Sequence, residues 1–161
     1  MIPQISQAPG LVQLVLTFLQ SLKEQGFTGD TATSYADRLS LSTDNSIYQL
    51  LPDAALFPRS TADVALIARL AGETRFNSLI FTPRGGGTGT NGQSLNQGIV
   101  VDMSRYMNRI LEINPEQGWV RVEAGVVKDQ LNAWLKPYGF FFSPELSTSN
   151  RATLGGMINT D

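Results

Sequence analysis

The chain contains neither cysteine nor histidine. Without cysteine there are no disulfides, iron–sulfur clusters, thiolate zinc sites or thiol nucleophiles in these residues. Without histidine, Ser–His triads, imidazole-bound metals and histidine acids, bases or covalent cofactor tethers are excluded as well. No metal-ligand set is expected. Charge is also scarce, because 16% of residues are Asp, Glu, Lys or Arg, well under the roughly 25% of an average soluble chain. The net charge is -2 and Lys and Arg form no cluster, so the footprint of phosphate-backbone recognition is missing and no nucleic-acid partner is expected. The longest apolar run, Leu11 to Gln25 (LVQLVLTFLQSLKEQ), is too short and too polar toward its end to span a bilayer. No basic residue precedes it and no small-residue cleavage site closes it, which argues against a secretory leader. The expectation is cytoplasmic residence with no integral membrane segment, and membrane association of a full-length protein stays open.

What is present is a globular composition: 161 residues, 42% hydrophobic, with 15 glycines and 8 prolines. That length suits one domain, and there is no internal repeat or low-complexity linker. Leu11 to Gln25 reads as an amphipathic helix closed by Gly26. The polar stretch from Thr31 to Asn45 suggests a short helix burying Tyr35, Ala36, Leu39 and Leu41. Ala54 to Phe57 reads as a strand ended by Pro58. Ser60 and Asp63 then cap a helix over 61–74, with Val64, Ile67, Ala68 and Ala71 as its apolar stripe. Leu79 to Thr82 is a second strand, and strand, helix and strand together predict a parallel βαβ unit. Three β runs follow, at Ile99–Asp102, Arg109–Ile113 and Trp119–Glu123, the last two forming a hairpin across Asn114-Pro115 and Gly118. Val127, Leu131, Trp134 and Leu135 mark a helix stopped by Pro137 and Gly139. Thr153 caps a final helix with Leu154, Met157 and Ile158 on its apolar side, and the chain looks cut there. The order predicts an α+β fold.

The most informative segment runs from Pro83 to Ser94, PRGGGTGTNGQS, with five glycines in the eight residues 85–92 directly after a predicted strand. Glycines allow positive φ and close backbone approach, and successive amides can converge on one anion. Gly87 to Gly92 fits G-x-G-x-x-G, but only Gln93 to Gln97 precede Gly98 and the next strand, so the helix of a Rossmann fingerprint has no room. A P-loop reading fails as well, because Gln93 stands where the phosphate-binding lysine belongs. What remains is a loop suited to a diphosphate. Its means are amides, the hydroxyls of Thr88, Thr90 and Ser94, the side chains of Asn91 and Gln93, and Arg84. Around the hairpin, Glu112, Glu116 and Glu123 read as solvated strand residues, and Trp119 and Trp134 as core. Ser143 to Ser147 is equally compatible with a plain turn and a second ligand loop.

Together PRGGGTGTNGQS, GIVVDMSRYMNRI, WVRVEAGV and ATLGGMI resemble, in order and spacing, the N-terminal half of the FAD-binding domain in the vanillyl-alcohol-oxidase-like, PCMH-type flavoproteins. The likeness is greatest to FAD-linked 2-hydroxyacid dehydrogenases of the D-lactate, glycolate and D-2-hydroxyglutarate type. The resemblance implies a βαβ subdomain followed by the start of an antiparallel-sheet subdomain. It divides the chain into an N-terminal helical segment, 1–49, and the first part of the FAD-binding domain, 50–161. It assigns Arg84, Gly85, Gly86, Gly87, Thr88, Gly89, Thr90, Asn91, Gly92, Gln93 and Ser94 to the FAD diphosphate. It places Ser143, Pro144 and Glu145 near the flavin, and Thr153, Gly155, Gly156 and Asn159 as a second wall. Members with covalent flavin often carry histidine where Thr88 stands, so FAD is expected to be noncovalent here. The implied activity is oxidation of a small-molecule 2-hydroxy acid to the 2-oxo acid, with no catalytic residue in this segment, an unidentified electron acceptor, and no turnover by the segment alone. Two rivals are a noncatalytic flavin- or nucleotide-binding module and an NAD(P)H-dependent flavin reductase of the same superfamily.

Overall fold

The computed structural model describes residues 12–160, so Leu11 of the expected first helix and the terminal Asp161 lie outside the described residues. Helix α1 (Gln13–Glu24) ends where Gly26 takes φ +89°, the Gly26 amide reaching Lys23 O at 3.2 Å and the Phe27 amide reaching Leu22 O at 3.0 Å. This left-handed exit satisfies the last carbonyls and folds Phe27 back onto the core. Strand β1 (Asp30–Ala32) and helix α2 (Tyr35–Ser40) follow. The buried residue of α2 is Arg38, whose Nε donates to Pro52 O at 2.6 Å, while Ala36 and Leu39 are exposed. The apolar side expected for α2 is therefore corrected. A buried carbonyl needed a donor, and only the arginine reached it.

Strand β2 (Ala54–Phe57) leads into α3 (Thr61–Ala71), where Ser60 Oγ accepts the Asp63 amide at 3.2 Å as expected of the cap. The stripe of α3 is rotated from the expected one, with Asp63, Leu66, Ile67 and Leu70 buried and Ala68 exposed. Two leucines hide more apolar area than two alanines. Asp63 meanwhile accepts the Thr28 and Arg59 amides, both at 2.8 Å, tying the end of α1 to α3.

Strands β3 (Phe81–Arg84) and β4 (Ile99–Asp102) complete a four-stranded sheet in the order β1-β2-β4-β3. β2, β4 and β3 are parallel, and β1 joins antiparallel to β2. One expectation is corrected: β3 begins two residues later than Leu79, because the Leu79 amide closes a turn onto Phe76 O at 2.9 Å. β4, which the sequence assigned to no sheet, lies between the strands of the βαβ unit. Its run IVVD is buried at every position, as a strand covered on both faces requires. Pro83 cannot donate to a ladder, which suits β3 to the edge. Val15, Phe18 and Leu22 of α1 pack with Leu66, Ile67, Leu70 and Phe76 on one face of β2 and β4. Phe18 meets Phe76 edge-on at 5.1 Å between ring centroids.

The second unit is the expected hairpin, β5 (Ile110–Asn114) antiparallel to β6 (Trp119–Val122), with Gly118 at φ +68° and Asn114 Oδ1 accepting the Gln117 amide at 3.0 Å. Helices α4 (Lys128–Leu135) and α5 (Leu154–Thr160) pack on it through Val126, Leu131, Leu135 and Leu154. Trp119 and Trp134 are each 36% exposed, so neither is the core residue expected. Lys128 takes the buried place on α4 instead. Ile158 is exposed, leaving Leu154 and Met157 as the packed side of α5. Glu123 is also not solvated. It is buried and accepts from the Arg109 amide at 2.9 Å and from Arg109 Nη2 at 2.7 Å. That pair closes the open end of the hairpin, and the arginine hydrogen bond holds the Glu123 carboxyl below its ordinary pKa despite burial.

Candidate functional site

The glycine loop leaves the end of β3 at Arg84, the point where a parallel sheet opens a crevice for ligands. Gly87 and Gly92 adopt φ +63° and +74°, a region that disfavours side chains. Gly85 and Gly86 serve a different purpose. A Cβ on Gly85 would overlap Thr153 Oγ1, and one on Gly86 would overlap the Arg151 carbonyl. The first half of the loop therefore lies directly against residues 151–153, two stretches that the sequence separates by some 65 positions. In the second half, Gln93 Oε1 accepts the Asn91 amide at 3.0 Å and packs over Gly89. Thr88 and Thr90 make no side-chain hydrogen bonds within the described residues, and Thr90 and Asn91 are exposed.

Arg84 and Ser94 point away from the loop's open side. The Arg84 guanidinium donates to Thr43 O at 2.8 Å and to Leu41 O and Ser94 Oγ at 3.4 Å. Burial lowers its pKa, with Asp102 and Asp44 opposing. The Ser94 hydroxyl donates to Asp44 Oδ2 at 2.9 Å.

Of the expected second wall, Thr153 is buried against Gly85, and Gly156 lies beside the same hydroxyl. The Leu154 and Gly155 amides are occupied by Val126 O and Ala124 O, both at 2.9 Å, and a Cβ on Gly155 would crowd Ala124. Asn159 turns back on its own helix to donate to Gly155 O at 3.1 Å. Ser143, Pro144 and Glu145 form an exposed stretch, in which Glu145 Oε1 lies 3.1 Å from Nζ of the buried Lys128.

Where loop and wall meet, an open cleft of about 290 Å³ brings Ser104, Asn108, Gln130, Asn150 and Arg151 beside Gly86 and Thr153. Sequence reading missed those five. They are ordinary polar residues on three separate segments, and only folding collects them; the one local hint was the Asn150-Arg151 pair just before the ATLGG stretch. The Ser104 position is set by Asp102, whose Oδ1 accepts its amide at 2.8 Å and its hydroxyl at 2.7 Å. Ser143, Pro144, Glu145 and Asn159 do not line this cleft. Its lining holds one guanidinium, two hydroxyls, three carboxamides and glycine backbone, with no carboxylate. That donor set suits a diphosphate. The residues present thus fit the anionic middle of a flavin dinucleotide.

A mixed sheet with helices, a glycine loop at its carboxyl edge and a polar cleft against a second antiparallel unit define an α+β dinucleotide-binding fold. The FAD binding domain model matches residues 52–161, and the chain belongs to that family, the PCMH type expected from its motifs. Over all 161 residues the chain is 90% identical to D-2-hydroxyglutarate dehydrogenase of Pantoea ananatis and 84% identical to that of Escherichia coli. It spans 16% of the length of each of these curated relatives. Among solved structures, an alkyldihydroxyacetonephosphate synthase superposes with a TM-score of 0.80 at 20% identity, over 95% of this chain and 30% of that one, which shows the shared fold. Among the described residues no helix is long and apolar enough to cross a membrane.

Proposed function

We propose that this chain is the diphosphate-holding part of a flavoprotein that oxidises a D-2-hydroxy acid of the D-2-hydroxyglutarate type to its 2-oxo acid. Identity of 90% and 84% along the whole chain to proteins named for that reaction carries the reading. FAD, when bound, accepts the hydride released from the α-carbon of the hydroxy acid. This chain's own residues bind and orient. Amides of the Gly85 to Gly92 loop would hold the diphosphate beside the Ser104 side chain, Arg151 would balance its charge, and Thr153 packs against Gly85 at the first turn of the loop. None of them is assigned the substrate carboxylate or the hydroxyl proton.

The experiment is anaerobic mixing of the FAD-loaded full-length protein with hydroxy acids. D-2-hydroxyglutarate is expected to bleach the flavin absorbance fastest, with D-lactate slower and the L-enantiomers inert. A flavin spectrum unchanged by every hydroxy acid removes the dehydrogenase reading.

A further inference from the structure

The glycine loop is gripped from behind by a segment that precedes the matched family region, which begins at residue 52. Residues 41–50 form a small closed turn of their own. Thr43 and Gln49 pair in an antiparallel bridge, the Leu50 amide donates to Ser42 O at 2.9 Å, and Asp44 Oδ1 accepts the Ser46 amide at 2.8 Å. This turn touches the loop at both ends and in the middle. The carbonyls of Leu41 and Thr43 take the Arg84 guanidinium, and the Asn45 amide donates to Gly87 O at 3.0 Å. Asp44 Oδ2 accepts the Ser94 hydroxyl, and the Tyr48 ring lies against Gly92. Gly87 and Gly92, the two positive-φ glycines of the loop, are thus both contacted by the same turn.

Resting on the FAD reading above, we propose that residues 41–48 are a positioning strap for the diphosphate loop, with Asp44 its central group. The Leu41 and Thr43 carbonyls engage Arg84 while Asp44 engages Ser94, so the one cation in the loop is committed to the strap. The diphosphate is then met by amides and hydroxyls, and Arg84 acts by holding the loop in shape. Five glycines make that loop entropically expensive to order, and an external strap that presets Gly87 and Gly92 lowers the cost of binding.

The test uses the full-length protein stripped of flavin and titrated with FAD, followed by fluorescence quenching at two KCl concentrations, with apoprotein melting measured in parallel. Asp44→Ala is expected to raise the FAD dissociation constant about tenfold, with little change in the melting of the apoprotein. Asp44→Asn keeps its Oδ1 as acceptor for the Ser46 amide and can donate from Nδ2 to Ser94 Oγ, and should recover most of the affinity. Arg84→Met should weaken binding while leaving its salt dependence as in the wild type. Ile47→Ala, on the strap but 95% exposed, should bind as the wild type does. Wild-type affinity in Asp44→Ala overturns the strap. A salt dependence flattened by Arg84→Met overturns it too, since Arg84 would then meet the phosphates directly; this arm decides the matter even if Asp44→Ala does not fold. Failure of the wild-type protein to take up FAD would instead overturn the cofactor reading itself.

Discussion

The two halves of the molecule bury their strands differently. In the four-stranded sheet, β2 and β4 are buried at every residue and α1 and α3 close one face. In the hairpin, β5 and β6 are half-buried or exposed, and Leu111, Trp119, Phe140 and Phe141 remain open to solvent. The first half owes its order to apolar burial. The second owes more to polar fastenings: the Arg109–Glu123 pair, Asn132 accepting the Phe142 amide at 2.7 Å, and Ser149 donating to Asp129 at 3.0 Å. The polar cleft lies at the joint, where the four-stranded sheet presents a glycine loop and a more lightly packed partner supplies opposing side chains.

The contrast can be broken from its strongest point downward. Phe18→Ala empties the centre of the first core and should cost about 4 kcal/mol in denaturant unfolding, and Leu131→Ala in the smaller second core about 3 kcal/mol. Equal or reversed losses would erase the distinction between the halves. Gly86→Val drives a side chain into the Arg151 carbonyl at the joint. FAD affinity should fall about a hundredfold, equivalent to about 2.7 kcal/mol, with far-UV circular dichroism unchanged.

Glu123→Gln tests the polar fastening and should cost about 2 kcal/mol. The native pKa of Glu123 lies below its ordinary value of 4.5, so its contribution is complete above that pH and fades as pH falls through the lowered native value. Stability curves of the wild type and Glu123→Gln should therefore converge in acid. The smallest effect is expected for Arg121→Ala, which breaks an exposed pair with Glu112 at 3.2 Å. Less than about 0.5 kcal/mol should be lost.

Legibility followed the range of the interactions. The helices at 13–24, 61–71 and 128–135, the hairpin, and the loop after β3 were readable because periodicity, caps and turn residues act within a few positions. The placement of β4 between β2 and β3 was not, since strand order depends on which runs can be covered on both faces. The same holds for Arg38, Glu123 and Lys128. Their types predict exposure, and each is buried because a carbonyl or opposite charge from a distant segment awaits it. Trp119 and Trp134 failed in the opposite sense, their size suggesting core where the second unit's small core leaves them at its edge.

By itself, the sequence determined the chemistry available: no thiol, no imidazole, and a glycine loop whose backbone is its main donor. Four ordered motifs also marked the family. Only tertiary structure decided which polar residues surround the cleft, that Thr153 and Arg151 close on Gly85 and Gly86, and that Arg84 faces the 41–48 turn. Those outcomes rest on contacts between segments tens of residues apart, and such contacts exist only after the sheet has set the distance between them.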